Sequence, residues 1–483
     1  MIMPISRRGF LAASASAALL PLVPARVRAA TAPDRTLVAE PRTIEVQGRA
    51  ATVFGLRNAQ GRSGLVIEPG ERMAFTLTNA LPEATSIHWH GQLPPHAQDG
   101  VPDMPAPALA PGEGREYDFA ARPGTHWMHS HLPLQEMRLL AAPLIVRRPG
   151  DAAADRQEVV VLLHDFSFAA PEEVLAGAGQ GGGHDMGHDM GAMGGMAPMA
   201  QGMDMSGMTG MAMDINDIAF DAYLANDRTL DDPEVVTVDK GGRVLVRVIN
   251  GSAATVFWID TGALGGVLLA VDGEPVVPLA GRRFGVAMGQ RLDVEVTVPP
   301  EGGAFPILAL REGAAERAGI VLATPGAHVE RLAVIGDAAA PAFDYGLEQE
   351  SRLRAVAPLA DRVATRQQTL TLGGTMQPYR WTIDGRGWGE HLPVGARTGE
   401  RVEIGFWNMS MMAHPIHLHG HAFQVVGIGA QRFAGAVRDT VHVPPMALVT
   451  VALDAGEAAR WMLHCHHMPH LAAGMMTEFR VSA

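Results

Sequence analysis

A single cysteine in a chain of 483 residues lies between two histidines, and this arrangement limits what the chain can fold into. Cys465 follows His464 and precedes His466, with His470 five residues and Met475 ten residues after it. A lone thiol cannot form an intramolecular disulfide, so an exported chain needs another use or protection for it. A thiolate, two imidazoles and a weak thioether are the ligands of a blue-copper electron-transfer site. Cys465, His470 and Met475 supply three of these four ligands, and the fold must bring the fourth from elsewhere.

The two histidines beside Cys465 indicate a second metal site. Side chains alternate across a β-strand, so His464 and His466 would face away from the cysteine. Cys465 could then bind one copper ion while its neighbours reach toward other metals, and electrons would follow the bonds between them. For these residues alone, the alternative is a histidine-rich surface turn around a buried thiol.

Three further histidine clusters occur in the chain, and each contains a His-x-His pair that places two imidazoles on one face of a strand. The clusters are His88 with His90, His129 with His131, and His414 with His417 and His419. His414 is offset from its pair and is the candidate for the missing blue-copper ligand. One such pair is weak evidence for a metal site, but four clusters in this order, the last enclosing the only cysteine, are specific.

In these motifs the chain resembles the multicopper oxidases, the family of laccases, ascorbate oxidase, ferroxidases and bacterial copper-efflux oxidases. The resemblance implies four copper ions as cofactors, one of type 1, one of type 2 and two of type 3. It assigns type 1 copper to His414, Cys465 and His470 with Met475 as axial ligand. It assigns type 2 copper to His88 and His417, and the type 3 pair to His90, His129, His131, His419, His464 and His466. Cys465 would also act catalytically, as the relay between these sites.

The resemblance implies one-electron oxidation of a substrate at type 1 copper, coupled to four-electron reduction of O2 to water. The expected partners are O2 and either Cu(I) or small phenols and aromatic amines, and the expected setting is copper tolerance. Axial Met475, in place of leucine or phenylalanine, indicates a moderate redox potential. The alternatives are a general laccase, a copper-storage protein, and a copper-free scaffold on the same fold. Scaffold relatives lose the ligands, whereas all ten histidines are present here.

Acidic residues near such a site deliver protons. Asp99, nine residues after His90, matches the position of a family carboxylate that lies near type 2 copper and assists proton transfer, which makes it the second candidate catalytic residue. From the sequence alone, an ordinary Asp-Gly turn explains it equally well. Copper-efflux oxidases often have a second acid where this chain has Leu471, and a substrate-binding aspartate where it has Ser410. A second proton route is therefore in doubt, and any substrate-copper site must differ in detail.

A segment from residue 179 to residue 213 contains ten methionines among glycine, alanine and aspartate, with two copies of Gly-His-Asp-Met. So glycine-rich a segment cannot bury a core, and thioethers are soft donors suited to Cu(I). We expect a copper-collecting loop, with a low-complexity linker as the alternative. Met409, Met411 and Met412 form a second candidate soft site beside His414, for which a buried strand end is the competing interpretation.

The first thirty residues indicate export. Residues 6–11, Ser-Arg-Arg-Gly-Phe-Leu, form a twin-arginine motif, followed by an apolar stretch and small residues typical of a cleavage region. Two prolines interrupt the apolar stretch, which is too short to span a membrane. We expect the twin-arginine export machinery to deliver a soluble, monomeric protein to the periplasm. Without the four arginines of residues 1–30, the formal net charge of −13 becomes −17, which argues against nucleic-acid binding.

Short apolar or alternating runs, broken by glycine, proline and aspartate, predict β-strands. The clearest runs are residues 72–78, 158–163, 243–249, 291–298, 401–407 and 440–453. Similar turn sequences at 68–72, 238–243 and 397–401 each precede a run that ends near Asn79, Asn250 or Asn408. This repeat predicts an all-β fold of three consecutive cupredoxin-like Greek-key β-barrel domains.

We predict a signal peptide at residues 1–30 and domains at 31–150, 151–325 and 326–483, the second carrying the methionine-rich insertion and no copper ligands. The type 2 and type 3 copper ions, which together form a trinuclear cluster, would then lie between the two outer domains, so neither domain alone could be active. The remaining histidines are expected to be structural or to support a ligand: His96, His126, His164, His328, His391, His421, His442 and His467. Among these, His467 is the first to test, because groups behind the ligands tune a metal site.

Overall fold

The computed structural model describes residues 35–178, 215–344 and 346–483. The twin-arginine motif and the methionine-rich segment lie outside the described residues. The described α-helices are short: α1 Pro133–Glu136, α2 Pro171–Gly177, α3 Glu348–Arg352 and α4 Met468–Ala472. Single turns of 3-10 helix occur at His96–Gln98, Asp151–Ala153, Gly262–Leu264 and Trp388–Glu390. None of the described helices is long and apolar enough to cross a membrane.

The first β-sandwich is built from residues 36–146. Its strands are β1 Thr36–Val46, β2 Arg49–Asn58, β3 Leu65–Ile67, β4 Arg72–Asn79, β5 Ile87–His90, β6 Gly114–Ala120, β7 Gly124–Ser130 and β8 Ala141–Val146. They form two four-stranded sheets in the orders β2-β1-β4-β6 and β3-β8-β7-β5. Apolar side chains of both sheets, including Leu77, Trp89 and Phe119, form the core of this sandwich.

The second β-sandwich is built from residues 157–323. Its strands are β9 Gln157–Phe166, β10 Ala222–Ala225, β11 Val235–Thr237, β12 Arg243–Asn250, β13 Phe257–Asp260, β14 Gly266–Val271, β15 Glu274–Gly281, β16 Arg283–Val286, β17 Arg291–Thr297, β18 Ala304–Arg311 and β19 Arg317–Ala323. The sheets have the orders β10-β9-β12-β17-β14-β15 and β11-β19-β18-β13-β16. The chain that follows stays against this sandwich, because Leu353 lies in its core and the Gln349 side chain bonds the backbone of Gly285.

The third β-sandwich is built from residues 366–482. Its strands are β20 Arg366–Met376, β21 Tyr379–Ile383, β22 Val394–Arg397, β23 Arg401–Asn408, β24 His414–Leu418, β25 Phe423–Ile428, β26 Gln431–Arg432, β27 Val437–Arg438, β28 Thr440–Val443, β29 Leu448–Asp454, β30 Arg460–Cys465 and β31 Met476–Ser482. One sheet has the order β21-β20-β23-β29-β25-β26, with β27 beside β25, and the other has the order β22-β31-β30-β24-β28.

The three asparagines of the sequence repeat have the same role in each sandwich. Asn79, Asn250 and Asn408 end β4, β12 and β23, and each is fully buried. In every case the side-chain oxygen accepts from the backbone amide two residues on, and the side-chain nitrogen donates to one carbonyl four or five residues on and to another 30 to 36 residues on. The strand that each one ends pairs in parallel with an earlier strand of its sandwich. The sequence repeat is therefore a structural repeat.

Five of the six predicted strand runs correspond to single strands, within a few residues at their ends. The run at 440–453 is different, because it divides into β28 and β29, which belong to different sheets. Pro444 and Pro445 lie at the break and have no N–H to donate to a strand ladder. Met446 follows with a positive φ of 58°, which turns the chain between the sheets.

Candidate metal centre

Cys465 ends β30, where it meets histidines from two other elements. β30 pairs with β24 so that Ile416 lies opposite Cys465, which brings His414, at the start of β24, near the thiol. The Sγ atom of Cys465 lies 3.7 Å from Nδ1 of His414 and 3.8 Å from Nδ1 of His470 on α4. The two Nδ1 atoms are 3.1 Å apart. Met475, the fourth expected ligand, is held beside Cys465, because its backbone carbonyl accepts a hydrogen bond from the amide of Cys465 at 3.0 Å.

The set of four residues His414, Cys465, His470 and Met475 is called the thiol group below. Their side chains are fully buried. Burial raises the pKa of the Cys465 thiol and lowers the pKa of both histidines, that of His470 to about 3. The imidazoles are therefore neutral, which is the form that binds a metal. Sulfur and imidazole donors converging at these distances fit a copper ion.

His464 and His466 belong to a second assembly on the other side of β30. The strand register places His464 opposite His417 of β24 in the third sandwich. In the first sandwich, the register places His88 of β5 opposite His129 of β7. Histidines of the two sandwiches meet here, since Nε2 of His88 lies 3.4 Å from Nε2 of His417.

Eight histidines form this assembly, which we call the imidazole cluster: His88, His90, His129, His131, His417, His419, His464 and His466. Their donor atoms form groups of three, and in each group every donor atom lies within 4.8 Å of the other two. The groups are His90 with His129 and His466, His131 with His419 and His464, and His88 with His90 and His417. The Nε2 atoms of His419 and His464 are 3.1 Å apart, and those of His88 and His417 are 3.4 Å apart. The six histidines expected at a type 3 pair thus separate into two sets of three.

Several buried ring nitrogens of the imidazole cluster have no hydrogen-bond partner. They are Nδ1 of His90, Nε2 of His129, Nε2 of His131 and both ring nitrogens of His466. An unpaired buried polar atom costs free energy, and coordination to a metal removes that cost. Burial, followed by repulsion from neighbouring imidazoles, lowers the pKa of these four histidines and of His417 and His419. Neutral rings with free nitrogens fit copper ions.

Backbone carbonyls hold four of the rings from behind. The acceptors are the carbonyl of Asp99 for Nδ1 of His88 at 2.9 Å, that of Ser130 for Nδ1 of His129 at 3.0 Å, that of Asp439 for Nδ1 of His417 at 2.8 Å, and that of Cys465 for Nδ1 of His464 at 2.9 Å. A hydrogen bond at one ring nitrogen fixes the tautomer and directs the other nitrogen toward a metal.

Buried carboxylates also lie close to ring nitrogens of three histidines of the cluster. The contacts are Asp99 Oδ2 with His419 Nδ1 at 2.8 Å, Asp439 Oδ1 with His90 Nε2 at 3.0 Å, and Glu136 Oε2 with His129 Nδ1 at 2.7 Å. Sequence reasoning found only Asp99. Glu136 lies five residues after His131, and that closeness was a usable signal. The sequence gives no such signal for Asp439, because this residue belongs to the third sandwich and contacts His90 of the first.

The thiol group also has supporting residues. Ser410 Oγ lies 2.8 Å from Nε2 of His414. Asp217, which sequence reasoning missed, lies 3.7 Å from Nε2 of His470 and 3.2 Å from Nε2 of His467. The ring of His467 stacks on that of His470 with centroids 3.7 Å apart. His467 therefore supports a predicted ligand from behind, whereas Leu471, in the expected acid position, is buried among apolar side chains.

Three family models, each described as multicopper oxidase, match residues 40–151, 189–325 and 361–483. The chain is 32% identical to the multicopper oxidase MmcO of Mycobacterium tuberculosis, over 97% of this chain and 90% of the relative. It is 25% identical to a copper resistance protein A homolog of Pseudomonas syringae pv. tomato, over 91% of this chain and 90% of the relative. The crystal structure of a laccase from Botrytis aclada matches with a TM-score of 0.72 and 21% identity, covering 93% of this chain and 88% of that one.

The structural match confirms the expected all-β fold of three cupredoxin-like domains, so each sandwich is one domain. The family models and relatives show an oxidoreductase that uses copper cofactors. The chain belongs to the multicopper oxidase family.

Proposed function

We propose that the protein holds four copper ions and couples oxidation of a substrate to reduction of O2 to water. Type 1 copper would be held by His414, Cys465, His470 and Met475, and type 2 copper by His88 and His417. One type 3 ion would be held by His90, His129 and His466, and the other by His131, His419 and His464. The observation that carries the proposal is that Cys465 belongs to the thiol group while both of its chain neighbours belong to the imidazole cluster.

Copper held in these groups supplies one-electron redox steps and, at the trinuclear site, the reduction of O2. The chain contributes the path between them. The backbone joins Cys465 to His464 and His466, and the Cys465 carbonyl accepts from Nδ1 of His464 at 2.9 Å. Burial of all three side chains excludes water from this path. The orientation of the His464 ring is fixed in advance by this acceptor, so little rearrangement is needed there when charge moves.

Asp99 is proposed to deliver protons to the imidazole cluster. It is buried, and it contacts His88 through its carbonyl and His419 through its carboxylate. The Asp-Gly turn expected as the alternative is also present, because Gly100 has a φ of 87° and a Cβ there would lie 1.9 Å from the carbonyl oxygen of Ile87. Turn and proton relay are therefore compatible roles of one short segment.

Asp99→Asn should keep an acceptor for His419 but remove the group that ionises, so turnover should fall about 10²-fold or more. Asp99→Ala also removes the acceptor and should weaken copper binding by about 10- to 100-fold. Copper content, O2 uptake and anaerobic reduction of the visible absorption by substrate separate these effects. The anaerobic reduction rate should match the wild type in the Asn variant. Wild-type turnover in that variant would exclude a proton role.

We propose Cu(I) as a reducing substrate that approaches the thiol group at exposed methionines. Met409 and Met411 are about half exposed, at 52% and 50%, on either side of Ser410, which contacts His414. Met446 is 57% exposed on the loop that bonds to Asn408 and was not anticipated from the sequence. Met412 differs from these, because it is buried in the core of the third domain, as the competing interpretation expected for it.

Replacing Met409, Met411 and Met446 together with leucine keeps the side-chain volume but removes three soft donors. Oxidation of Cu(I) at limiting concentration should fall by about tenfold, the effect of losing roughly 1.4 kcal/mol of binding. Oxidation of a phenolic dye should be unchanged, and Met412→Leu serves as a buried control. Equal losses on both substrates would contradict a substrate-copper role for the three exposed residues.

The methionine-rich segment is proposed to collect copper for this site. Its support is compositional, since it lies outside the described residues: ten thioethers and two histidines in 35 residues are soft and borderline donors for copper. Deleting residues 180–213 should lower Cu(I) oxidation at limiting copper and spare phenol oxidation. Equal loss on both substrates would favour a linker without a metal role.

Copper tolerance is the proposed setting, and the similarity to a copper resistance protein A homolog supports it. A general laccase is the second candidate, supported by matches to laccases. A storage-only role is disfavoured because the family consists of oxidoreductases. O2 uptake by the copper-loaded protein, measured with Cu(I) and with a phenol, distinguishes the three. Uptake with Cu(I) far above that with the phenol supports the first, and no uptake with either supports storage.

The domain boundaries at 150/151 and 325/326, the signal peptide at residues 1–30, the twin-arginine route, the periplasmic location and the monomeric state are likewise proposed. The first boundary is supported by the gap between β8, which ends at Val146, and β9, which begins at Gln157. The second boundary follows β19, which ends at Ala323. The segment between it and β20, which begins at Arg366, packs against the second sandwich through Leu353.

A further inference from the structure

Among its described residues the second domain contributes no histidine to the imidazole cluster, but one of its turns lies against the cluster. Residues 287–291, which we call the wall turn, join β16 to the first residue of β17. Gly289, at its centre, has a φ of 79°. A Cβ atom on this residue would lie 2.8 Å from Cδ2 of His466 and 3.1 Å from Cε1 of His90. Glycine is therefore required both by the backbone conformation and by two rings of the cluster.

Hydrogen bonds hold the wall turn in place. The amide of Gly289 donates to the carbonyl of Asn250 at 2.9 Å, at the end of β12. The side chain of Gln290 accepts from the amide of Ala287 at 3.0 Å and donates to the carbonyl of Thr440 at 3.1 Å. The turn is thus tied to the framework of its own domain and to the third domain.

Arg291 connects the wall turn to all three domains. It is fully buried and donates to both oxygens of Asp439, at 2.7 Å and 2.6 Å. It also donates to the carbonyls of Thr125 in β7, at 3.1 Å, and of Gly289, at 2.9 Å. Asp439 in turn contacts Nε2 of His90 at 3.0 Å. A bidentate pair of this kind fixes the plane of the carboxylate, and the carboxylate orients the ring.

We propose that the wall turn forms a third side of the trinuclear copper site, in which Gly289 and Arg291 are positioning residues for His90 and His466. This inference rests on the copper assignment proposed above. It gives the second domain a direct part in the geometry of the type 3 pair. Gly289 acts by allowing the two rings to approach, and Arg291 acts through Asp439.

Gly289→Ala tests the first part, with Gly241→Ala as the matched control. Gly241 lies in the same domain at a φ of 70°, and a Cβ there would meet nothing within 4 Å. Both variants carry similar backbone strain, but only one crowds the cluster. We expect Gly289→Ala to keep the visible absorption of type 1 copper, to lose the near-ultraviolet absorption of the coupled type 3 pair, and to lose about 10- to 100-fold in turnover. Gly241→Ala should match the wild type in both absorptions and in turnover. The copper-free forms of the two variants should unfold at equal temperatures.

Arg291→Lys provides the second test, because lysine keeps the charge but cannot bind Asp439 in a bidentate manner. We expect altered type 3 absorption and fewer bound copper ions, with unchanged visible absorption. This variant decides the question if Gly289→Ala fails to fold. Wild-type spectra and copper content in both variants would overturn the role of the wall turn. A wild-type protein that binds far fewer than four copper ions would instead refute the copper assignment itself.

Discussion

Replacing Cys465 with serine should abolish the intense visible absorption and substrate oxidation, while roughly three of the four proposed copper ions remain bound. The absorption arises from the bond between thiolate sulfur and cupric ion, which a hydroxyl cannot replace. The Sγ atom of Cys465 lies 3.7 Å from Nδ1 of His414 and 3.8 Å from Nδ1 of His470. Its loss removes both the type 1 site and the link to the imidazole cluster. The effect on oxidation should therefore be a fall to the background rate.

Copper analysis, visible absorption and O2 uptake on the same preparation check this result. Met475→Leu is the matched control, since it changes the axial position but leaves the thiolate in place. That variant should keep the absorption and shift the redox potential upward, because the axial ligand tunes the potential. Oxidation by the serine variant at more than a trace of the wild-type rate would refute the relay through position 465.

Replacing Arg438 with methionine should cost about 3–5 kcal/mol of stability in the copper-free protein. Arg438 is buried and lies 3.1 Å from Oδ2 of Asp272 and 2.9 Å from Oε2 of Glu350. It joins the second domain to the third, so its loss leaves the buried Glu350 without this cation and leaves Asp272 with Arg291, 3.8 Å away. Chemical denaturation followed by tryptophan fluorescence measures the change. Arg432→Met is the control, because its pair with Glu403 is half exposed and should be worth less than about 1 kcal/mol.

The loss caused by Arg438→Met should depend on pH with a definite sign. Burial already raises the pKa of Asp272, and removal of the guanidinium raises it further. A carboxyl group whose pKa is raised in the folded state binds more protons there than in the unfolded chain, so stability falls as pH increases. The defect should therefore be smaller at about pH 5 than at about pH 8. A defect that grows toward acid would show that the carboxylates are not the cause.

The fold was predictable because its signals are local and repeated. The run at 72–78 is one strand with alternating burial, and the same turn and asparagine recur before and after β12 and β23. The predicted strand at 440–453 is too long. The apolar residues continue through Pro444 and Pro445, but the chain passes from one sheet to the other at these prolines. An apolar pattern shows which residues are buried but does not show in which sheet.

At the candidate metal centre, the grouping of the histidines was predictable from the sequence, and the residues that support them were less so. His88 and His90 are two residues apart, so strand geometry alone places them on one face. Asp439, by contrast, reaches His90 across 349 positions of sequence, and Asp217 reaches His470 from another domain. Contacts of this kind depend on how whole domains pack, and no spacing in the chain encodes them. The same is true of Arg291, whose partners lie in all three domains.

The meeting of His88 and His417 across 329 positions of the chain has a consequence for biogenesis. A nascent polypeptide that has completed only its first domain offers four of the eight histidines of the imidazole cluster and no residue of the thiol group. Tight metal acquisition must therefore come last, after the carboxyl-terminal strands have docked. On the proposed assignment, copper loading then reports that synthesis and folding are finished, and a truncated molecule that lacks Cys465 stays colourless.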